Sequence, residues 1–209
     1  MNELSGWELA YRRRPTEGRE VPHEYANSLH TRFQEHSIQK ILDLGCGDGR
    51  HLMYFGNLGY EMYGLDYSPT AIQLAEQWLT KEKLSAELVC TGMDTIPWSN
   101  EYFDAVICFQ AINHNLIDGI RRTIAEIHRV LRKEGWLFVT IGTWRPPDSF
   151  TFHSGTEVEP NTIILTEGHE KGIPHHFFTT EEILREFSQF NIVNLDHDNQ
   201  NRACLLAQK

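Results

Sequence analysis

The stretch ILDLGCGDGRH, residues 41–51, runs from a strand-like ILDL into a loop in which every second residue is glycine. Gly45, Gly47 and Gly49 alternate with Cys46 and Asp48, and a helical pattern, RHLMYFGNLG, begins at Arg50. Three glycines at this spacing strip a strand-to-helix loop of side chains, as is needed where backbone bends tightly or something approaches it closely. In an open parallel sheet, ligands bind beyond the carboxyl ends of the strands, so the fold on either side decides what this loop is for.

The surrounding chain alternates. IQKILDL (38–44), YEMYGLD (60–66), AELVC (86–90), FDAVICF (103–109) and WLFVTI (136–141) read as strands. Between them lie helical patterns. One starts at Ser68-Pro69, a cap followed by proline at the first helical position, and runs to about Lys81. Another, GIRRTIAEIHRVLRKEG (119–135), repeats Ile120, Ile124, Ile127 and Leu131 at helical spacing, with Gly135 placed to close it. PHEYANSLHTRFQEH (22–36) predicts an earlier helix that tolerates Pro22 in its first turn. Near-continuous apolar strands alternating with helices predict a parallel sheet covered on both faces.

The tail differs. TTEEILREF opens with a capping box from Thr179 to Glu182. FNIVNLD (190–196) and RACLLAQ (202–208) are then separated by a short polar gap, which permits a hairpin but no parallel crossover. The expected fold is therefore a doubly wound, Rossmann-like α/β domain, its mostly parallel seven-stranded sheet carrying an antiparallel C-terminal strand. The predicted layout is an N-terminal helical cap (1–36) and a main domain (37–209), with 142–178 a long irregular insertion on the substrate side.

Composition narrows the function. The chain has 209 residues and a formal charge of −10, the opposite of what a phosphate-binding surface or anionic lipid requires. Arg12-Arg13-Arg14 is too short a run to change that. Cys46, Cys90, Cys108 and Cys204 lack metal or redox spacing, and most lie in apolar runs, so buried free thiols in a reducing compartment are expected. The start, MNELSGWELAYRRR, has no signal-peptide core, and no segment approaches 18 apolar residues; a cytoplasmic location is the expectation.

Two kinds of ligand use a glycine loop after a first strand: dinucleotides and S-adenosylmethionine. The dinucleotide pattern G-x-G-x-x-G fails here, because Arg50 fills its last position. Asp43, just before the glycines, would also repel a pyrophosphate and suits an ammonium group. LDLGCGDGR resembles the first motif of class I S-adenosylmethionine-dependent methyltransferases, with likeness extending over 38–141 and more weakly to the terminal hairpin. EKGIPHHFFTTEEI is similar to a stretch in small bacterial methyltransferase-domain proteins of unassigned substrate.

The resemblance implies a cofactor, S-adenosylmethionine, and roles for particular residues. Asp43 and the loop at Gly45, Cys46 and Gly47 would hold the methionine part, Asp66 the ribose hydroxyls, and Tyr67 would pack beside the adenine. The third-strand motif departs from the family's GDAxxLPF: here TGMDTIPW (91–98) has Gly92 where the adenine-contacting acid is expected. Asp94 comes two positions late, while Met93 can still offer its backbone to the ring. Phe109 and Gln110 would border the reactive methyl. Trp7 and Tyr11 sit one helical turn apart in a segment that closes over the cofactor in many relatives, with Arg14 in reach of its carboxylate; an amphipathic helix simply packed on the domain is the other reading.

His114, past the fourth strand, is the candidate general base and Asn113 its orienting neighbour, against the alternative of a loop histidine bonded structurally. In the insertion, His153, His169, His175 and His176 accompany several glutamates. His175 and His176, adjacent on an extended segment, point to opposite faces, and no helical H-x-x-x-H pair exists, so no metal is expected; they are assigned with Trp7 to the substrate pocket, with structural packing the other reading. The asparagine–proline–proline–aromatic signature of base-amino methyltransferases is missing, which with the acidic charge argues against nucleic acid. The expected function is methyl transfer to a small-molecule oxygen, nitrogen, sulfur or metalloid centre, with no membrane partner. The alternatives are a nicotinamide-dependent oxidoreductase on the same sheet and a non-catalytic cofactor-binding module.

Overall fold

The computed structural model describes residues 6–13, 21–143, 155–168 and 170–209. Helix α1 (Gly6–Arg13) precedes α2 (Ala26–Glu35), which starts later than Pro22 predicts. The glycine loop joins β1 (Lys40–Leu44) to α3 (Arg50–Asn57), and β2 (Glu61–Asp66) leads through Ser68 into α4 (Pro69–Lys81). The Ser68 hydroxyl accepts the Ala71 N–H, so the serine–proline start works as a cap. Strands β3 (Ala86–Cys90) and β4 (Phe103–Cys108) follow, then α5 (Ile117–Val130) and β5 (Leu131–Ile141).

Helix α5 ends five residues before Gly135, where the sequence pattern placed its close. Leu131 is already extended (φ −70°, ψ 135°) and pairs with Phe103, and the ladder slips between there and the Ala105–Trp136 pair. Gly135 serves this irregularity: a Cβ there would lie 2.8 Å from the Arg132 carbonyl and 3.1 Å from that of Asp104.

Residues 155–168 and 170–178 also differ from the expected irregular loop. They form a small antiparallel sheet of β6 (Gly155–Glu159), β7 (Thr162–Leu165) and β8 (Pro174–His176). It is tied to the main domain by the His176 N–H donating to the Asn113 carbonyl (2.8 Å) and the Phe178 N–H to that of Gly142 (2.9 Å). Helix α6 (Thr180–Glu186) is capped by the Thr179 hydroxyl, and the chain ends in the hairpin of β9 (Asn191–His197) and β10 (Ala203–Gln208).

The seven-stranded sheet has the order β3-β2-β1-β4-β5-β10-β9; β10 is antiparallel to both neighbours. Alternate side chains feed two cores. Leu42, Val106, Leu137 and Val139 meet Ile120, Ile124 and Ile127 of α5 with Ile183 and Phe187 beneath α6. Ile41, Ala105, Ile107 and Phe138 meet Leu29 and Phe33 of α2, Leu52 and Phe55 of α3 and Ala75 and Leu79 of α4. Burial on both faces explains why the central strands read as unbroken apolar runs. All four thiols are free; Cys46, Cys108 and Cys204 are buried, but Cys90, at the end of edge strand β3, is exposed. Among the described residues no helix is long and apolar enough to cross a membrane.

Candidate functional site

A cavity of about 820 Å³ opens above the carboxyl ends of β1, β2 and β4, within the range of small-molecule and cofactor pockets. Its floor is the glycine loop. Gly45 (φ 74°) and Gly47 (φ 56°) take left-handed backbone, which disfavours any side chain. Neighbours crowd the same positions: a Cβ at Gly45 would lie 2.5 Å from that of Ala111, and one at Gly47 would run into the Tyr11 hydroxyl. The loop is fixed to the end of β2, with the N–H groups of Gly45 and Cys46 both donating to the Leu65 carbonyl and the Gly47 N–H to Asp66 Oδ2 (2.9 Å).

Two carboxylates lie at this floor. Asp66 is buried; its Oδ1 accepts the Ser68 N–H (2.9 Å) as Oδ2 accepts that of Gly47. Burial pushes its pKa up, and these backbone donors hold it back. Asp43 lies deeper, between Gly64 of β2 and Ile107 of β4, and does not itself line the cavity. Its Oδ2 has no hydrogen-bond partner among the described residues, and burial, opposed by the Arg50 charge, pushes its carboxyl up to about 8.

Most of the other predicted residues border the same cavity: Cys46, Tyr67, Met93, Asp94, Phe109, Gln110, Asn113, His114, His175, Trp7 and Tyr11. Tyr67 is largely exposed at the rim. Asp94 pairs with Arg122 (3.2 Å), and its Oδ1 turns back to within 3.1 Å of where a Cβ at Gly92 would stand. The His114 ring meets Trp7 and His175 edge-on, each at 4.8 Å between centroids. Burial, with the His175 ring beside it, lowers the His114 pKa to about 3, so the imidazole is neutral at physiological pH.

His176 is a correction to the predicted substrate set. It points away from the cavity, bonded through Nδ1 to the Thr162 hydroxyl (2.7 Å), with Nε2 3.3 Å from Glu182 and its ring against Phe178. The pleat of β8 sends the two adjacent rings to opposite sides, and only His175 reaches the cavity, its Nε2 3.4 Å from Glu170. Arg14, His153 and His169 lie outside the described residues.

Sequence reasoning missed three charged residues. Arg50 and Arg202 line the cavity from α3 and from the start of β10. Glu8 of α1 fastens that helix to α4: its carboxylate accepts from the Ser68 hydroxyl (2.6 Å), the Thr70 hydroxyl (2.6 Å) and N–H (3.1 Å), and Arg12 Nε (2.7 Å). Burial raises the Glu8 pKa, but these donors outweigh it and bring it to about 2. The Glu8–Arg12 spacing was a visible helix-face pair, while the partners on α4 were not.

Residues 42–139 match a family model described as a methyltransferase domain. Human EEF1A lysine methyltransferase 2 is 31% identical over 133 residues, 58% of this chain and 56% of that protein. The ubiquinone biosynthesis O-methyltransferase of Bartonella quintana is 29% identical over 108 residues, 51% of this chain and 43% of that protein. The chain thus spans about half the length of the curated relatives it matches. Among solved structures, the PH0226 protein of Pyrococcus horikoshii superposes with a TM-score of 0.76 at 18% identity, covering 95% of this chain and 97% of that one.

The Glu8 contacts predict that Glu8→Ala releases α1 while the sheet stays folded. Amide exchange over residues 6–13 should accelerate at least tenfold with little change elsewhere, since hydrogen bonds to a charged group contribute about 1.5–3 kcal/mol. Unchanged exchange in α1 would remove Glu8 as the fastening.

Proposed function

The chain belongs, through residues 42–139, to the class I S-adenosylmethionine-dependent methyltransferases, and from that premise we propose that it transfers the methyl group of this cofactor to a small-molecule acceptor by in-line displacement. The family's cofactor is S-adenosylmethionine; when bound, it supplies a methyl already activated on a sulfonium, so alignment matters more than acid–base chemistry. The observation that carries the reading is the pairing of the bare loop at Gly45–Gly47 with a buried Asp43 oxygen that lacks a donor. A cationic amino-acid end on the loop fits that pair, since it brings compensating charge above a carboxyl buried beneath the cavity floor.

In this reading Asp66, anchored by backbone N–H groups that include those of Gly47 and Ser68, offers its remaining lone pairs to the ribose hydroxyls. Met93 and Tyr67 border the adenine, and Asp94, folded back toward Gly92, stands in for the acid the motif lacks. Phe109 and Gln110 border the methyl. Helix α1 acts as the cap, laying Tyr11 on the loop and Trp7 on His114; in the catalytic domain that follows, β8 closes the acceptor side.

His114, neutral at pH 7 and made a weak base by burial, takes the proton of an oxygen acceptor as methyl transfer makes that proton strongly acidic, and Asn113 at the same wall helps place it. The walls made by α1 and β8 enclose an acceptor of small-molecule size. The human relative's name raises a second reading, a protein lysine acceptor, in which a side chain would have to enter the same cavity. Turnover on a panel of small phenols, amines and thiols against lysine peptides separates the two.

Three outcomes test the site. Titration with S-adenosylhomocysteine should show binding, with Asp66→Ala weakening it by about 1–3 kcal/mol through lost charge-assisted hydrogen bonds. Equal affinity in the folded mutant would reject the ribose role.

The Asp43 carboxyl gives a pH signature. Its pKa is raised from 3.8 to about 8, so the native state holds a proton that the unfolded chain releases, and stability without ligand falls as pH rises across that window. An ammonium group favours the ionised form, so binding of S-adenosylhomocysteine should release a proton and tighten between about pH 6 and 8. Calorimetry in two buffers of different ionisation enthalpy measures this; identical heats would place the amino group elsewhere. Finally, His114→Ala should slow transfer at least tenfold while cofactor affinity holds; full turnover in the variant excludes it as the base.

A further inference from the structure

Arg202 is the first residue after the turn between β9 and β10, and its guanidinium reaches the cavity wall. The turn is organised to aim it. Asp198 is buried; its Oδ1 accepts the N–H groups of Gln200 (2.9 Å) and Arg202 (2.8 Å), and its Oδ2 accepts from Arg202 Nε (2.7 Å). His23, from the segment before α2, adds a second donor to Oδ2 through Nε2 (3.1 Å). Its Nδ1 accepts the Tyr25 N–H, which assigns the proton to Nε2. On the cavity side, Gln110, with its amide oxygen turned to the guanidinium, accepts from Nη1 and from Nη2 (2.6 Å for the latter). Gln110 is itself held in left-handed backbone (φ 57°), its N–H donating to the Thr140 hydroxyl (2.7 Å).

A guanidinium carries five N–H donors; the contacts with Asp198 and Gln110 account for three of them, on a residue that lines the cavity. Arg50 lines the same cavity, close enough for the Arg202 charge to add to burial in lowering its pKa. Two arginines lining one cavity stand out in a chain of net charge −10. A fork fixed on one edge by a buried carboxylate loses little side-chain entropy on binding and matches a carboxylate better than an ammonium would.

The sheet order decides which molecule brings the anion. β10 lies beyond β4 and β5, roughly 14 Å across the sheet from β1 at about 4.8 Å per strand, on the opposite side from β2 and β3. The glycine loop and Asp66 belong to the β1–β2 side, and Gln110 follows β4 where the methyl is placed above. We propose that Arg202, held by Asp198 and Gln110, is the anion anchor of the acceptor site, and that the methyl acceptor carries a carboxylate or similar oxyanion. The inference rests on the proposed methyltransferase reading for the position of the cofactor. Asp198 and His23 are positioning residues that act through the arginine.

Titration of the full chain, with and without saturating S-adenosylhomocysteine, against acetate, malonate, benzoate and inorganic phosphate tests the proposal, with benzamide as the neutral control for benzoate. At least one anion should bind the wild type, and Arg202→Met should weaken it at least tenfold while affinity for S-adenosylhomocysteine stays within twofold. Arg202→Lys, which keeps charge without the fork, should retain an intermediate affinity and guards against a folding defect in the methionine variant. If Arg202→Met weakens S-adenosylhomocysteine tenfold but leaves methylthioadenosine, which lacks the amino-acid end, unchanged, the anion is the cofactor's own carboxylate and the acceptor assignment is overturned. Binding of no anion, or binding indifferent to Arg202, also overturns it. Arg202-dependent anion binding in a chain that ignores S-adenosylhomocysteine would sink the methyltransferase reading and leave the anion anchor standing.

Discussion

Three backbone N–H groups tie the loop after β1 to the end of β2: Gly45 and Cys46 share the Leu65 carbonyl, and Gly47 donates to Asp66. The whole cavity floor hangs on this short junction. It works only with left-handed backbone at Gly45 and Gly47, and crowding by Ala111 and Tyr11 leaves no room for a Cβ at either. The glycines therefore answer to the protein's own neighbours as well as to any ligand. The same junction puts Asp66 to structural use, so this acid shapes the loop before it can bind anything.

The walls of the cavity are attached differently from its floor. Neither apolar core contains a residue of α1, or of β6 and β7. Helix α1 is held by the Glu8 carboxylate on α4, and β8 by its main-chain bond from His176 to Asn113. Polar attachment outside the core opens at lower free energy than the buried strands do. A cavity whose entry requires its walls to part can thus sit on a sheet that stays intact.

The central fold was legible because its physics is local. Buried parallel strands must be apolar on both faces, and Ser68-Pro69 starts a helix by capping chemistry alone. Misreadings arose where a local signal had two meanings. Gly135 ends helices as readily as it relieves crowding in a strand, and the Asp104 carbonyl decides between them. Strand β6, GTEVE, is mostly exposed and offers no alternating pattern, so the small insertion sheet was read as irregular. In the site, residues that follow a strand end were found by position, as with Asp66, Phe109 and His114. Glu8 and Arg202 escaped because their placement depends on partners some sixty or more residues away in one case and on a turn built around Asp198 in the other. His175 and His176 differ only by which side of the pleat each occupies.

Charge in the cavity is arranged along the sheet rather than evenly. Asp66 lines the β1–β2 end with Asp43 buried beneath it, and Arg50 and Arg202 line the cavity from α3 and from the turn before β10. Each charge is tempered: Asp43 is raised to about 8 by burial, Arg202 is paired with Asp198, and Arg50 is pulled between Asp43 and burial. Burying one charge without its complement is expensive. The site favours ligands that bring a cation to the acidic end and an anion to the arginines. A pair consisting of an amino-acid-bearing cofactor and an acidic acceptor meets both demands at once, whereas a cationic acceptor would leave the arginines uncompensated.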